Sequence, residues 1–389
     1  MRIVLCTESY PPAISGVSVF TSKAAMELQA RGHDVIVIAP SQNGSPKREN
    51  KDGVPVYRLR SIPSPFRQKY RHVVGQQLAI SRILKRFEPD IIHIQDPGGC
   101  SSAALRWGRR HDVPVVGTRH FATNLVAAYF PFAKMLPEEA VHGIIDMYSR
   151  EFFKLCTVVT CPTDTVRQYM LGKGFEIPMV VISNGVDLPK LDEMPKPRKG
   201  IPTILTVSRI DEDKNIELLL KSAPLVKAKR DVEFVIVGGG NKLQQYRQYV
   251  KDQKLSSYVR FTGAVKADSP ALTSWYTRST LFAIPSLVET QSLVTLEAMS
   301  YALPVVAVRA GALPELIKPN QTGYLVPVPT PAHFSKSLLA ALDYPDRTRE
   351  FGVNGRRLVE REHARPHCID QLVQLYEATV RGDYSPKTS

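Results

Sequence analysis

The 389-residue chain lacks any uninterrupted apolar run of the roughly 20 residues that a membrane-spanning helix needs. It also lacks a CxxC pair, and its five cysteines show no metal-ligand spacing. Several of these cysteines fall in apolar runs typical of buried strands, which indicates reduced core thiols in a cytoplasmic protein. The opening residues, MRIVLCTESYPP, contain only a short apolar run before Glu8 and predict a buried strand rather than a signal peptide.

Acidic residues are also scarce, and the positive charge is unevenly distributed. The formal net charge is +14 at pH 7, and the segment from Arg60 to Arg86 contains seven basic residues and no acid. Such an excess predicts an anionic partner, which is a nucleic acid, an anionic lipid or a phosphorylated substrate. Because no interleaved aromatic residues or recognition motif accompany this tract, nucleic-acid binding is the distant alternative.

Short β-branched runs alternate with longer amphipathic stretches, a pattern that predicts parallel sheets covered by helices. A first series of strands ends before residue 185, a second begins near residue 202, and the segment DLPKLDEMPKPRKG between them has the composition of a linker. We therefore predict an α/β fold with two Rossmann-like, doubly wound parallel-sheet domains facing a cleft, over residues 1–185 and 186–362. A C-terminal helix is expected within residues 363–389. Whether this helix returns to the first domain is left open. In such sheets ligands bind at the carboxyl ends of the strands.

Two acids eight residues apart mark the segment PSLVETQSLVTLEAMSYALPVVA, which spans residues 285–307. It predicts a strand, a turn and a helix that starts near Thr290–Ser292. Free backbone N–H groups at a helix start attract phosphate. The Glu289 carboxylate can accept hydrogen bonds from sugar hydroxyls, and Glu297 can hold a ribose diol. A capped helix with two solvated acids is the alternative interpretation.

Two cations, Arg209 and Lys214, follow the first strand of the second series in the segment VSRIDEDK. A planar guanidinium and a point-charge ammonium suit a diphosphate that must leave with extra negative charge. An exposed charged loop is the alternative. We expect Asp211 and Asp213 to balance Lys214 rather than to bind a metal ion.

Glycines and one histidine follow other predicted strands. Gly239, within GGG, and Gly16, before the first helix, either let a helix start approach a ligand or form tight turns. His120 follows the predicted strand Val113–Thr118 and can bond a sugar hydroxyl or transfer a proton, unless it is structural.

In their order along nearly the whole chain, these motifs resemble the retaining family 4 glycosyltransferases, which have the GT-B fold. The matching segments are RGHDV, PDIIHIQDP, TRH at 118–120, ISNGVD at 182–187, SRIDEDKN at 208–215, IVGGG, FTG at 261–263 and the two spaced glutamates. The resemblance implies that the first domain binds the acceptor and the second binds a nucleotide sugar. It also implies retention of configuration without a metal ion or a cofactor.

The resemblance further implies individual roles. The catalytic set comprises His120, Arg209, Lys214 and Glu289. Arg209 and Lys214 bind the diphosphate, Glu297 binds the ribose, and Val265 lies by the nucleobase. The donor-binding set is Gly16, Arg209, Lys214, Gly239, Val265, Glu289, Thr290, Gln291, Ser292, Leu293, Val294 and Glu297. Serine at 292, where the family commonly has glycine, leaves the donor sugar open.

The segment ETQSL is most similar to the ETQGL of bacterial diacylglycerol glucosyltransferases. This similarity implies transfer of glucose from UDP-glucose to diacylglycerol, with a soluble family 4 enzyme acting on a sugar, sugar phosphate or other small acceptor as the alternative. Basic and apolar residues around the predicted helix at 75–87 favour an anionic membrane on the cytoplasmic side, unless that apolar face only packs on its own sheet. The apolar stretch Phe121–Leu136 is a candidate for acyl-chain contact. The predicted membrane-binding residues are Arg67, Lys69, Arg71, Arg82, Lys85 and Arg86.

Overall fold

The computed structural model describes residues 1–13, 15–64, 71–121, 123, 136–191 and 200–384. The chain divides into two compact units, one formed by Met1–Gly185 with the segment from Pro366 onward and the other by Val186–Arg365. Within the described ranges, no helix combines the length and the apolar character that crossing a membrane requires.

An eight-stranded sheet forms the centre of the first unit, in the order β10-β9-β8-β7-β1-β2-β4-β3. Every neighbouring pair is parallel except β3 with β4. The central strands β1 and β7 are apolar almost throughout because both faces of the sheet are covered. The strands are β1 (Arg2–Cys6), β2 (Asp34–Pro40), β3 (Lys47–Lys51), β4 (Val54–Leu59), β7 (Ile91–Ile94), β8 (Val115–Thr118), β9 (Val158–Cys161) and β10 (Met179–Val181), and a separate pair is β5 (Ser61–Pro63) with β6 (Arg71–Val73).

Helices cover both faces of this sheet. The C-terminal helix packs in the core of the first unit, where Ile369, Leu372 and Tyr376 are buried with residues of β1 and β2. The described helices of this unit are α1 (Gly16–Ala30), α2 (Gln77–Phe87), α3 (Gly99–Arg110), α4 (Glu138–Phe153), α5 (Asp164–Gly172) and, numbered last in chain order, α13 (Arg365–Arg381).

The second unit is built on a six-stranded, fully parallel sheet in the order β13-β12-β11-β14-β15-β16. Its strands are β11 (Thr203–Val207), β12 (Glu233–Val237), β13 (Val259–Gly263), β14 (Leu281–Ile284), β15 (Val305–Val308) and β16 (Gly323–Val326). Its helices are α6 (Ile216–Lys227), α7 (Leu243–Asp252), α8 (Pro270–Arg278), α9 (Leu293–Ser300), α10 (Leu313–Leu316), α11 (Pro331–Asp343) and α12 (Pro345–Leu358). The predicted α/β class with two Rossmann-like domains is confirmed.

Strand β3 was not predicted because its sequence, KRENK, is charged and has no apolar alternation. It forms through a hairpin with β4, in which Asp52 and Gly53 both adopt positive φ. The Asn50 side-chain oxygen accepts the Gly53 N–H at 3.0 Å and closes the turn. An Asp-Gly pair is a strong hairpin signal, so the sequence does contain a signal for the hairpin that forms β3.

Candidate functional site

Two cations meet three carboxylates, those of Asp211, Asp213 and Glu289, at the carboxyl edge of the second sheet. Arg209 follows β11, and its Nη2 lies 3.1 Å from Asp213 Oδ2. Lys214, at the end of a single 3-10 turn over Glu212–Lys214, places its Nζ 2.8 Å from Glu289 Oε1. The Lys214 and Glu289 side chains are only 14% and 9% exposed. The structure thus brings together three of the four residues predicted to be catalytic.

The glycine run after β12 is explained by the chain's own backbone. Gly238 has φ +148, and a Cβ there would lie 1.8 Å from the Ser208 carbonyl oxygen. A Cβ on Gly240 would lie 2.5 Å from the Ile210 carbonyl oxygen, whereas Gly239 meets only Ala264 at 3.4 Å. The tight-turn interpretation therefore accounts for the outer two glycines, while the predicted ligand contact of Gly239 stays a prediction.

The helix α9 begins at Leu293, with Ser292 as its N-cap. Ser292 adopts φ +68, a left-handed conformation that favours glycine. Its hydroxyl lies 2.8 Å from the Thr295 hydroxyl, and the residue is buried. The Ser292 backbone thus keeps the conformation that a glycine would adopt, while the side chain occupies space beside the helix start. Of the other predicted donor-binding residues in this segment, Gln291 is buried and Thr290, Leu293 and Val294 are half-buried.

The backbone of Glu289 is held by Gly311, a residue that sequence reasoning missed. Gly311 has φ +51, and a Cβ there would lie 2.3 Å from the Glu289 carbonyl oxygen. That carbonyl accepts the Ala312 N–H at 2.9 Å. Nothing in the local pattern of the sequence connects these positions, because they approach each other only across neighbouring loops of the sheet.

Glu297 is paired with a tyrosine. The Tyr276 hydroxyl donates to Glu297 Oε2 at 2.8 Å, and the Tyr276 ring stacks on Tyr301 with centroids 5.3 Å apart. Burial raises the pKa of Glu297 to about 7. Tyr276 lies on α8 and was not predicted. Val265, the predicted neighbour of the nucleobase, is half-buried and packs against the core cluster that contains Tyr276.

In the first unit, His120 follows β8, and its Nε2 lies 2.8 Å from Gln95 Oε1. Burial lowers the pKa of His120 to about 3, so the imidazole is neutral. The fully buried Gln95 was not predicted, although it directly follows β7. Gly16 is the exposed first residue of α1, and the preceding Ser15 caps the helix by accepting the Ser18 N–H at 3.1 Å.

Two further carboxyl groups that were not predicted lie at the carboxyl edge of the first sheet. Glu8 accepts the Cys100 N–H at 2.7 Å and the Val73 N–H at 3.1 Å. Asp96 accepts the Glu8 N–H at 2.8 Å. Burial, with the nearby Asp96 carboxyl group, raises the pKa of Glu8 to about 8. Among the described residues, no group of three or more histidines, cysteines and acids is arranged to hold a metal ion.

The basic residues predicted to meet a membrane fall into three classes. Arg82, Lys85 and Arg86 are exposed on α2. Arg71 lies in β6 instead of flanking the helix, and its Nη2 donates to the Ser61 carbonyl at 2.8 Å. The predicted residues Arg67 and Lys69, and most of the stretch Phe121–Leu136, lie outside the described residues.

Exposed apolar side chains lie on α2 and in the segments that precede it. Leu78 on α2 is 75% exposed, and Ile62 and Val74 are more than half exposed. The opposite face of α2 packs Ile80 and Leu84 into the core. The helix therefore both packs on its own sheet and presents an apolar residue outward.

Two protein-family models match the chain. The model described as Glycosyltransferase Family 4 matches residues 14–190, and the one described as Glycosyl transferases group 1 matches residues 201–344. An alpha-monoglucosyldiacylglycerol synthase from Streptococcus pneumoniae is 26% identical over 84% of this chain and 75% of its own length. A GDP-mannose-dependent alpha-mannosyltransferase from Mycolicibacterium smegmatis is 26% identical over 98% of both chains.

Among solved structures, the sucrose-phosphate synthase of Thermosynechococcus elongatus has a TM-score of 0.77 to this chain. It is 18% identical, and the match covers 98% of this chain and 100% of that one. At this identity the likeness concerns the fold, and it agrees with the predicted GT-B arrangement of two Rossmann-like domains.

Proposed function

Because the chain belongs to the family 4 glycosyltransferases, which retain configuration and use nucleotide sugars, we propose that it transfers glucose from UDP-glucose to diacylglycerol or a related membrane lipid. The observation that carries the proposal is the cluster of Arg209, Lys214 and Glu289 at the carboxyl edge of the second sheet. Ligands bind at this edge in doubly wound sheets.

The two cations act on the leaving group in this proposal. As the bond between the sugar and the diphosphate breaks, negative charge develops on the phosphate oxygens. Arg209 and Lys214 are held in place before this happens, so they stabilise that charge without a large rearrangement. The backbone N–H groups of Ser292 and Leu293 lie at the start of α9 and add the positive end of the helix dipole. Fixed cations thereby take the role that a divalent metal ion has in other transferases.

The remaining donor contacts are assigned by chemistry. Glu289 accepts hydrogen bonds from sugar hydroxyls while its other interaction holds Lys214. Glu297, which already accepts the Tyr276 hydroxyl, binds the ribose diol. The neutral His120 is proposed to hydrogen bond a hydroxyl of the transferred sugar. Gly16, Gly239, Val265, Thr290, Gln291 and Val294 are proposed to complete the donor site.

The lipid acceptor is supported by the surface around α2 and by the relative from S. pneumoniae, whose name includes a glucosyldiacylglycerol. Exposed Arg82, Lys85 and Arg86 lie on the same helix as the exposed Leu78. Each basic residue near an anionic surface contributes about 1 kcal/mol, and apolar residues add burial in the interface. We therefore propose peripheral binding to the cytoplasmic face of the membrane.

A donor screen tests the proposal. UDP-glucose, UDP-galactose and GDP-mannose are each incubated with the protein, with vesicles that contain diacylglycerol and an anionic lipid, and with added sugars and sugar phosphates. Products are identified by mass spectrometry, and Lys214→Ala serves as the control for catalysis at the proposed site. We expect a hexosyl-diacylglycerol from UDP-glucose. Transfer to added sugars or sugar phosphates, with none to the lipid, would contradict the lipid acceptor and leave the sugar-transfer activity in place.

A second candidate donor is GDP-mannose, because the relative from M. smegmatis that uses it matches 98% of this chain. The same screen distinguishes the two donors. A mannosylated product from GDP-mannose, with no transfer from UDP-glucose, would replace glucose by mannose in the proposal.

A further inference from the structure

The two cations of the proposed donor site face more carboxylates than the donor chemistry requires. Asp211, Asp213 and Glu289 all contact Arg209 or Lys214. Taken by itself, this cluster has one more carboxylate than cations and does not attract a diphosphate. Binding the donor therefore requires that some of these ion pairs open.

Asp213 is the carboxylate shared by both cations. Its Oδ2 lies 3.1 Å from Arg209 Nη2 and 3.4 Å from Lys214 Nζ, and its side chain is 14% exposed. Its backbone carbonyl accepts the Leu287 N–H at 3.3 Å, which ties the 3-10 turn to the loop that leads to Glu289. The position of Asp213 is therefore fixed from both its backbone and its side chain.

Asp211 has a different arrangement. One of its oxygens pairs with Arg209, and Oδ1 accepts the Asn241 N–H at 2.9 Å. This carboxylate joins Arg209 to the glycine turn after β12. The Asn241 N–H holds this carboxylate at that turn, so Asp211 is less able than Asp213 to release its cation, Arg209.

We infer that Asp213 is a positioning residue that holds Arg209 and Lys214 in place before the donor binds and then releases both cations to the donor diphosphate. The inference rests on the proposed function, since it requires that these cations bind a nucleoside diphosphate. Without Asp213, Arg209 would keep Asp211 and Lys214 would keep Glu289, but the carboxylate that holds the two cations beside each other would be lost. The two cations would then have to be ordered relative to each other when the donor binds. With Asp213, they are ordered in advance, and the carboxylate competes with the diphosphate for them.

This exchange has two opposing consequences. Competition by Asp213 weakens the binding of the nucleoside diphosphate, which speeds release of the product after the transfer. Ordering of the cations favours the transition state, where the charge on the diphosphate is greatest. Removing the carboxylate charge should therefore tighten nucleotide binding and slow turnover. If the carboxylate only stabilised the loop, its removal would weaken nucleotide binding and also slow turnover.

The test compares Asp213→Asn with the parent protein, using UDP as the probe in isothermal titration calorimetry at two salt concentrations. We expect UDP to bind roughly two- to fivefold more tightly, in line with the energy of an ion pair near the surface, and with a steeper dependence on salt. With UDP-glucose as the donor, KM and kcat should both fall. Glu212→Gln is the matched control, because it removes one exposed carboxylate from the same turn and should leave affinity and turnover unchanged.

Asp213→Glu restores the charge and should return UDP affinity toward that of the parent. Asp213→Ser is a second neutral variant should the asparagine variant fail to fold, which thermal unfolding would show. Parent-like or weaker UDP binding in folded neutral variants, while the parent binds UDP, would overturn the role of Asp213. A parent protein that binds no UDP or GDP would instead overturn the proposed function, and with it this role.

Discussion

The carboxyl edges of the two sheets present different chemical groups, although both units are parallel α/β folds. In the second unit this edge presents Arg209 and Lys214. In the first unit it presents the carboxyl groups of Glu8 and Asp96, together with the neutral imidazole of His120. The architecture provides an edge at which ligands bind, but the loop residues decide which chemistry each edge can recognise. Under the proposed function, the groups at the edge of the second unit bind the diphosphate, and those at the edge of the first unit bind hydroxyl groups.

The two units also share one feature, which is a half-buried glutamate with a raised pKa. The pKa of Glu8 is about 8 and that of Glu297 is about 7, in both cases mainly because burial penalises the ionised carboxylate. Their partners differ. Two backbone N–H groups bind Glu8, whereas a tyrosine hydroxyl binds Glu297. The two backbone N–H groups hold Glu8 in place, whereas we propose that Glu297 exchanges its tyrosine partner for a ligand.

The largest expected effect concerns the cationic edge. Lys214→Ala should lower kcat by about 100- to 1,000-fold, the range found when a preorganised group that stabilises transition-state charge is removed. UDP affinity should fall much less, because the charge on the leaving group is greatest in the transition state. The matched control is Lys221→Ala on α6, which removes an exposed lysine paired with Glu217. Turnover equal to that of the parent would exclude Lys214 from the mechanism.

The second prediction compares the basic surface of α2 in the first unit with exposed basic residues of the second unit. Replacing Arg82, Lys85 and Arg86 together by glutamine should weaken binding to anionic vesicles by about 100-fold, from about 1 kcal/mol for each charge. Sedimentation with vesicles measures this binding. The control replaces Lys229, Lys251 and Lys254 by glutamine in the same way. These are exposed basic residues of the second unit. Equal losses in both triple variants would mean that only net charge matters and that α2 is not a membrane-binding surface.

The third prediction concerns stability and the acidic edge. The folded pKa of Glu8, about 8, lies above its usual value of 4.5. Its contribution to stability is therefore fully present below pH 4.5 and is lost as the pH rises through 8. Glu8→Gln should flatten this dependence by about 2 kcal/mol between pH 6 and 9, measured by urea unfolding. Glu88→Gln, which removes an exposed carboxylate, is the control. The same slope in Glu8→Gln and the parent would contradict the raised pKa.

The smallest expected effect concerns Glu297. An ionised carboxylate accepts both hydroxyls of a ribose, so UDP affinity should rise as the pH passes through about 7. From pH 6 to pH 8, UDP affinity should rise roughly tenfold more in the parent than in Glu297→Gln, which is equivalent to about one pKa unit. Both proteins are titrated with UDP, so that ionisation of the nucleotide itself cancels in the comparison. Parallel pH profiles would refute the ribose role.

Much of the fold could be predicted because its causes are local. The apolar runs that become β1, β7, β11 and β12 are contiguous, and Arg209 and Lys214 lie in the segment that follows β11. Strand β3 was missed because its residues are charged and it depends on pairing with β4. The basic segment was predicted as one membrane surface, yet Arg71 hydrogen bonds Ser61 within the small sheet.

The sequence by itself determined the two parallel-sheet units and the residue types available at their edges, since strand periodicity and loop composition act over a few neighbouring residues. Only the tertiary structure decided which of these residues become partners. Lys214 meets Glu289, 75 residues away in the chain, and Tyr276 on α8 meets Glu297 on α9. Burial and charge at these contacts depend on atoms from several elements at once, and for that reason the shared position of Asp213 and the raised pKa values emerged only from the packed structure.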